Sequence, residues 1–121
     1  KYSGEPYLDY ERLEKVGKLL PDFPIVLHGA STVIPEYVAK CNEFGGKVLG
    51  AKGVPEDMLR KAATMAVCKI NIDTDIRLAM TAAIRESLVK HPENFDKAGR
   101  QAVKDMVSHK IQAVVGSSHS I

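Results

Sequence analysis

Two stretches of this chain alternate as β-strands do: "PIVLHG", ending at His28–Gly29, and "VCKINI", ending at Ile72, with helix-patterned sequence between them. Short apolar strands separated by helices argue for a parallel α/β arrangement. Two strands make no independently stable sheet. The chain therefore reads as part of a larger α/β layer, most naturally a barrel. Its opening, "KYSGEPYLDYERLEKV", has no start methionine and runs through a Gly-Pro loop into a helix, as a segment cropped from a longer protein would. Its 121 residues read as a single segment of one domain, 1–121.

Apolar spacing places the helices. Asp9 is the expected N-cap of a helix whose Leu13, Val16, Leu19 and Leu20 share a face, and Pro21 stops it. Pro35 opens a second helix with Tyr37, Val38 and Cys41 inward, ending before Gly45–Gly46. "GGKVLGAKGV" reads as a Gly-rich surface loop carrying Lys47 and Lys52. Pro55 begins a third helix through Met58, Leu59, Ala62 and Ala66. After the second strand, Ile76, Met80, Ala83, Ile84 and Leu88 predict a long helix, with Glu86 and Lys90 paired on its outer side. His91-Pro92 ends it. Val103, Met106, Val107, Ile111 and Val114 predict a last helix closed by Gly116, followed by a frayed tail, "GSSHSI".

Charge narrows the function classes. Seventeen Lys and Arg against 15 Asp and Glu leave a formal net charge of +2, with no dense basic run to suit nucleic acid. No apolar run approaches the about 20 residues of a membrane span. Cys41 and Cys68 lie in apolar contexts without a CxxC pairing and are expected to be reduced, buried thiols of a cytosolic chain. His91 is expected to be a helix-terminal cation, and His109 and His119 to be solvated.

The chemistry gathers at the two strand ends. Alternation puts His28 inward at the end of the first strand, the end where barrel enzymes build their sites. A neutral imidazole there suits Zn²⁺, although a lone His can equally hydrogen-bond a neighbour. Gly29 lets a ligand approach the backbone, and Ser31 with nearby N–H groups suits a phosphate. On the second strand Lys69 and Asn71 share the inward face and Asp73 continues it. Thr74 stands where a helix N-terminus favours phosphate, and Asp73 suits a hydroxyl or carbonyl instead. Arg77 could clamp a phosphate bidentately. The plainer alternative is that Asp73 or Thr74 caps the helix while Arg77 pairs with Asp73 or Asp75 on the surface.

"VLHGAS", "GGKVLGAKGVP" and "VCKINIDTDIRLAMTAAIRE" together resemble the carboxy-terminal portion of class II, zinc-dependent fructose-1,6-bisphosphate aldolases, over nearly the whole chain. The resemblance implies a (β/α)₈ barrel, with these strands as the seventh and eighth. It implies a cytoplasmic glycolytic lyase that cleaves fructose 1,6-bisphosphate to dihydroxyacetone phosphate and glyceraldehyde 3-phosphate, using Zn²⁺ to stabilise the enediolate. His28 matches the third zinc-binding histidine. Gly29, Ala30 and Ser31 match a phosphate-binding turn, with a monovalent cation a further possibility near it. Asn71, Ile72, Asp73 and Thr74 match the second half of the dihydroxyacetone-phosphate site. Arg77 matches an arginine that reaches the other phosphate across the interface of a homo-oligomer. No Schiff-base lysine is then required, so Lys69 is expected deep in the barrel, paired with a carboxylate outside this segment.

The sequence departs from the family pattern in three places. "STVIP" delays the proline after the GAS turn by one residue. The connection after "HPENFD" lacks a Tyr-Leu-Pro element. The other two zinc histidines, the proton-handling Asp and the mobile loop are expected upstream, Lys1–Tyr2 resembling residues just behind the second histidine. Alone, the chain is expected to bind zinc weakly and not to be catalytic. A tagatose-bisphosphate aldolase is disfavoured by Asp73 and Asp75, and a non-catalytic assembly subunit by retention of the pocket residues. A phosphate-binding isomerase barrel lacks this motif order.

Overall fold

The computed structural model describes residues 4–116, apart from the side chains of Asn94 and Phe95. Lys1–Tyr2, most of the tail and His119 lie outside the described residues. In chain order the elements are α1 (Tyr10–Leu19), β1 (Ile25–Leu27), α2 (Pro35–Glu43), α3 (Glu56–Ala63), β2 (Val67–Ile70), α4 (Thr74–Lys90) and α5 (Phe95–His109). A 3₁₀ turn, Pro92–Asn94, leads into α5, and a π-helical turn, Lys110–Val115, prolongs it.

The two strands pair in parallel, Val26 opposite Lys69 and Leu27 opposite Ile70, with an irregularity between Ile25 and Val26. The amide of Asn71 continues the ladder by donating to Leu27 O at 3.3 Å. Both strands therefore end side by side. Beneath those ends lies the core, Ala30, Val54, Leu59 and Val114, with Leu8, Leu27, Met58 and Ile70 packed against it.

Local chemistry accounts for the helix ends. The Asp9 carboxylate accepts from the Arg12 amide at 2.9 Å, capping α1 as expected. Pro35 sits in the first turn of α2, where its missing N–H has no helical partner to lose. Gly116 closes the π turn in the left-handed conformation, φ 65°. The Asn42 side chain donates to Val48 O and accepts from Val48 N, pinning the Gly-rich loop to α2.

Three expectations about burial need correction. Leu19 and Leu20 are exposed, because α1 ends at Leu19 and the chain turns away through Asp22 at φ 58°. Cys41 is buried but Cys68 is exposed, since Ala63, Val67 and Val115 leave an open groove beside its thiol rather than covering it. Helix α4 buries a stripe of small and polar residues, Asp75, Ala79, Ala82, Ala83 and Ser87, while Met80 and Leu88 are exposed. Small side chains let helices approach closely. Gly99 of α5 works in the same way, since a Cβ there would lie 3.1 Å from Ile84 Cγ1.

Helices α2 and α4 are tied through Glu86, which pairs with Lys40 of α2 and, at 2.8 Å, with Lys90 on its own helix. Hydrogen bonds from Lys40 and Lys90, reinforced by their charge, hold the Glu86 carboxyl down at about 2. A carboxyl depressed on folding contributes stability that is complete above its unfolded value, near 4.5, and is lost as pH falls through the folded one. Glu86→Gln should therefore lower the urea midpoint at neutral pH by a small amount, because Glu86 is partly exposed. The gap from the parent should close between pH 4.5 and about 2. A gap of constant size across that range would show that the pair contributes nothing through charge.

Candidate functional site

The β1 end carries His28 on an exposed position, then Gly29 at φ 69°, a left-handed backbone that favours glycine. Ala30 turns its side chain into the core, so only its backbone can serve the site. Ser31 and Thr32 follow, both buried. This turn is pressed against the Gly-rich loop. Val54 N donates to Ser31 O at 3.1 Å, and a Cβ on Gly53 would fall 2.5 Å from Thr32 C and Val33 N.

Parallel pairing brings the β2 end alongside. Asn71 Nδ2 lies 2.9 Å from His28 Nδ1. With the amide nitrogen facing it, Nδ1 must accept, and the proton sits on Nε2. With the amide flipped, Oδ1 accepts from Nδ1–H and the Nε2 lone pair is released for a metal. The second arrangement is the one that suits a ligand. Among the described residues no group of three or more His, Cys, Asp or Glu side chains converges on a metal position, so His28 is one donor and not a complete set.

Asp73 occupies the N-cap position of α4 but its side chain makes no cap hydrogen bond. It accepts instead from Arg77 Nη2 at 2.7 Å, the plainer of the two sequence expectations. Both side chains are about two-thirds exposed, at 67% and 70%, so the pair is weakly held and Arg77 can leave it. Thr74 begins α4, whose first-turn amides have no partner within the helix and favour an anion. Ile72, half-buried, links the two groups. Lys69 is exposed and in no ion pair among the described residues; its expected carboxylate partner is not among them.

Asp75 is the main departure from the sequence reading. It is fully buried rather than paired with Arg77 on the surface. Its Oδ1 accepts from Ile34 N at 2.8 Å, and its Oδ2 accepts from the Thr32 hydroxyl and lies 2.8 Å from Lys110 Nζ. Lys110, only 3% exposed, also donates to Thr32 Oγ1 at 2.7 Å and to Glu56 Oε1 at 2.5 Å. Glu56 in turn holds His109 at 2.9 Å, while His109 stays exposed to solvent as expected. Burial alone would raise the Glu56 carboxyl, but hydrogen bonds from Lys110 and His109 outweigh it and leave it below its ordinary range. Glu56 and His109 also line a cavity of about 760 Å³ with Thr32, Ile34 and Tyr37. The sequence offered one signal for this network. Met106, Lys110 and Val114 recur every four residues, which places a lysine in a buried stripe and demands a buried anion opposite.

The chain matches the family model described as class-II fructose-bisphosphate aldolase over residues 1–120. It is 47% identical over 118 residues to a protein of Treponema pallidum named fructose-bisphosphate aldolase, covering 93% of this chain and 36% of that one. A protein of the same name from Thermus caldophilus is 41% identical over 117 residues, covering 93% of this chain and 38% of the relative. One from Helicobacter pylori is 38% identical over 127 residues, covering all of this chain and 40% of its own. The chain spans a little over a third of the length of these curated relatives.

The contact at Gly53 gives a direct test of how the site turn is supported. Gly53→Ala should destabilise the protein by about 1–3 kcal/mol, because the added methyl meets backbone that cannot swing aside. An unchanged urea midpoint would mean that the two loops are not in contact.

Proposed function

Because the chain belongs to the class-II fructose-bisphosphate aldolase family, we propose that it supplies the carboxy-terminal part of a (β/α)₈ barrel that cleaves and re-forms fructose 1,6-bisphosphate. In this reading β1 and β2 are the seventh and eighth strands, and their adjoining ends are one wall of the sugar-phosphate pocket. The observation that carries it is the parallel register, which sets His28 and Asn71 within 2.9 Å of each other at the end of the sheet where such barrels place their chemistry.

His28 would be one ligand of a Zn²⁺ ion, with the remaining ligands outside the described residues. Bound there, the ion supplies a Lewis acid for the negative charge that develops on the ketose oxygen. The chain's own residues supply one side of the substrate binding. Asn71 orients the imidazole through its amide and presents a polar edge to the substrate. The Gly29–Ser31 turn and the first-turn amides of α4 at Thr74 hold one phosphate. Asp73 accepts from a substrate hydroxyl when Arg77 leaves it, and Arg77 reaches the other phosphate, across an interface in a homo-oligomer. The proton-transfer carboxylate comes from outside this chain.

Two substitutions test this reading on the whole protein that carries these residues. His28→Ala should abolish chelator-sensitive cleavage of fructose 1,6-bisphosphate and lower the zinc retained per chain. Asn71→Ala should weaken metal retention by about 10–100-fold, the usual cost of losing the group that orients a ligating histidine. Full, chelator-sensitive cleavage by His28→Ala would remove the histidine from the reaction and with it the assignment of this wall.

A further inference from the structure

We propose that Lys110 is a positioning residue that locks the two strand-end turns to each other through Thr32 and Asp75. The proposal rests on the reading of those turns as the pocket wall, and it names a residue remote from the pocket in sequence and from the reacting atoms. Lys110 lies in the π turn that prolongs α5, far along the chain from either strand.

The geometry is specific. The Lys110 ammonium donates hydrogen bonds to Thr32 Oγ1 and Glu56 Oε1 and makes an ion pair with Asp75 Oδ2 at 2.8 Å. Thr32 follows Ser31 directly, and Asp75 follows Thr74 directly. The phosphate-binding residue of each turn is thus one peptide away from a ligand of the same ammonium. Asp75 adds a fourth fixed point by accepting from the backbone N–H of Ile34, so the chain on both sides of Val33 is held. The Thr32 hydroxyl accepts from Lys110 and donates to Asp75, which fixes its orientation and closes the ring of bonds.

Lys110 and Asp75 are the only buried charged side chains among the described residues. An apolar trio of similar volume would commonly stabilise a fold as well as a buried ion pair does. It would not fix directions. Directional bonds to two turns on separate strands set the distance and angle between them, which packing alone leaves free to vary. A π turn at the start of this segment fits the same role, since such turns recur at functional sites and here begin at Lys110 itself.

The decisive variants separate position from stability, again on the whole protein. Lys110→Met strands the Asp75 carboxylate and should destabilise it. Lys110→Met with Asp75→Asn removes both charges and should recover most of the lost melting temperature. In that folded double variant we expect KM for fructose 1,6-bisphosphate to stay raised about tenfold, with kcat changed by less than about twofold, as lost positioning of a binding wall predicts. Thr32→Val leaves the charges paired and should raise KM severalfold without unfolding. Hydrogen exchange read at residues 31–34 and 74–77 should quicken at both turns together in either variant. Recovery of KM along with melting temperature, or unchanged exchange at either turn, overturns the proposal and leaves Lys110 a stabilising residue only. If the parent protein does not cleave the sugar, the aldolase reading fails, and the exchange measurement alone still decides the role of Lys110.

Discussion

The parallel register of β1 against β2 is the constraint from which the site follows. Slipping a strand by one residue exchanges its faces, because side chains alternate with a period of two. With Val26 opposite Lys69 and Leu27 opposite Ile70, His28 and Asn71 arrive on the same face at the same height. A slip would turn one of them toward the helices and separate the imidazole from the amide. Nothing within the strands' own short ladder prevents such a slip. The turns that follow them do, since Thr32 and Ile34 on one side and Asp75 on the other are bonded together and cannot slide independently.

The same turns explain why this region depends on glycine and small residues. Gly29 takes a left-handed backbone, and Gly53 lies against Ser31–Val33 with no room for a Cβ. Asp75 and the alanines of α4 form the buried stripe that lets α4 start directly from the strand end. Bulkier residues at these positions would lift the helix N-terminus away from the neighbouring turn. The bonds from Asp75 to Thr32 and Ile34 that hold the two turns together would then be strained.

Much of this was legible in the sequence because it depends on local chemistry. The Asp9 cap, Pro35 in the first turn of α2, the Glu86–Lys90 pair and the Gly116 terminus all follow from residues within one helical turn of one another. The strands were legible through alternation, although β1 stops at Leu27 and β2 at Ile70, short of the expected His28 and Ile72. What escaped was long-range. Asp75 read as a surface acid because its partners, Thr32 and Lys110, lie 43 and 35 positions away along the chain, and periodicity reports no tertiary contact. Met80 and Leu88 read as core because apolar residues at helical spacing suggest burial; of the expected set Ala83 is buried, and the rest of the buried stripe is Asp75, Ala79, Ala82 and Ser87. His109 is exposed as expected, but its pairing with Glu56 escaped for the same reason as Asp75, the partner being on another helix.

One face of the sheet gives a physical reason to read these strands within a larger sheet. Val26, His28, Lys69 and Asn71 share it, and among the described residues no element covers Val26, which is 42% exposed, or Lys69. The face is neither the continuous apolar run of a strand buried under helices nor the fully polar surface of a solvated sheet edge. It carries an apolar residue and a lysine low on the strands and two hydrogen-bonding side chains at their ends. A barrel interior suits that gradient, because side chains from neighbouring strands fill its lower layers while its carboxy-terminal mouth stays open to ligand. A lysine in such a layer needs a carboxylate from another strand, as Lys110 needs Asp75 and Glu56 on the outer side of this one. The two lysines therefore pose the same electrostatic demand in opposite directions. That of Lys110 is met within the chain, and in the proposed barrel that of Lys69, exposed here, would be met by a neighbouring strand.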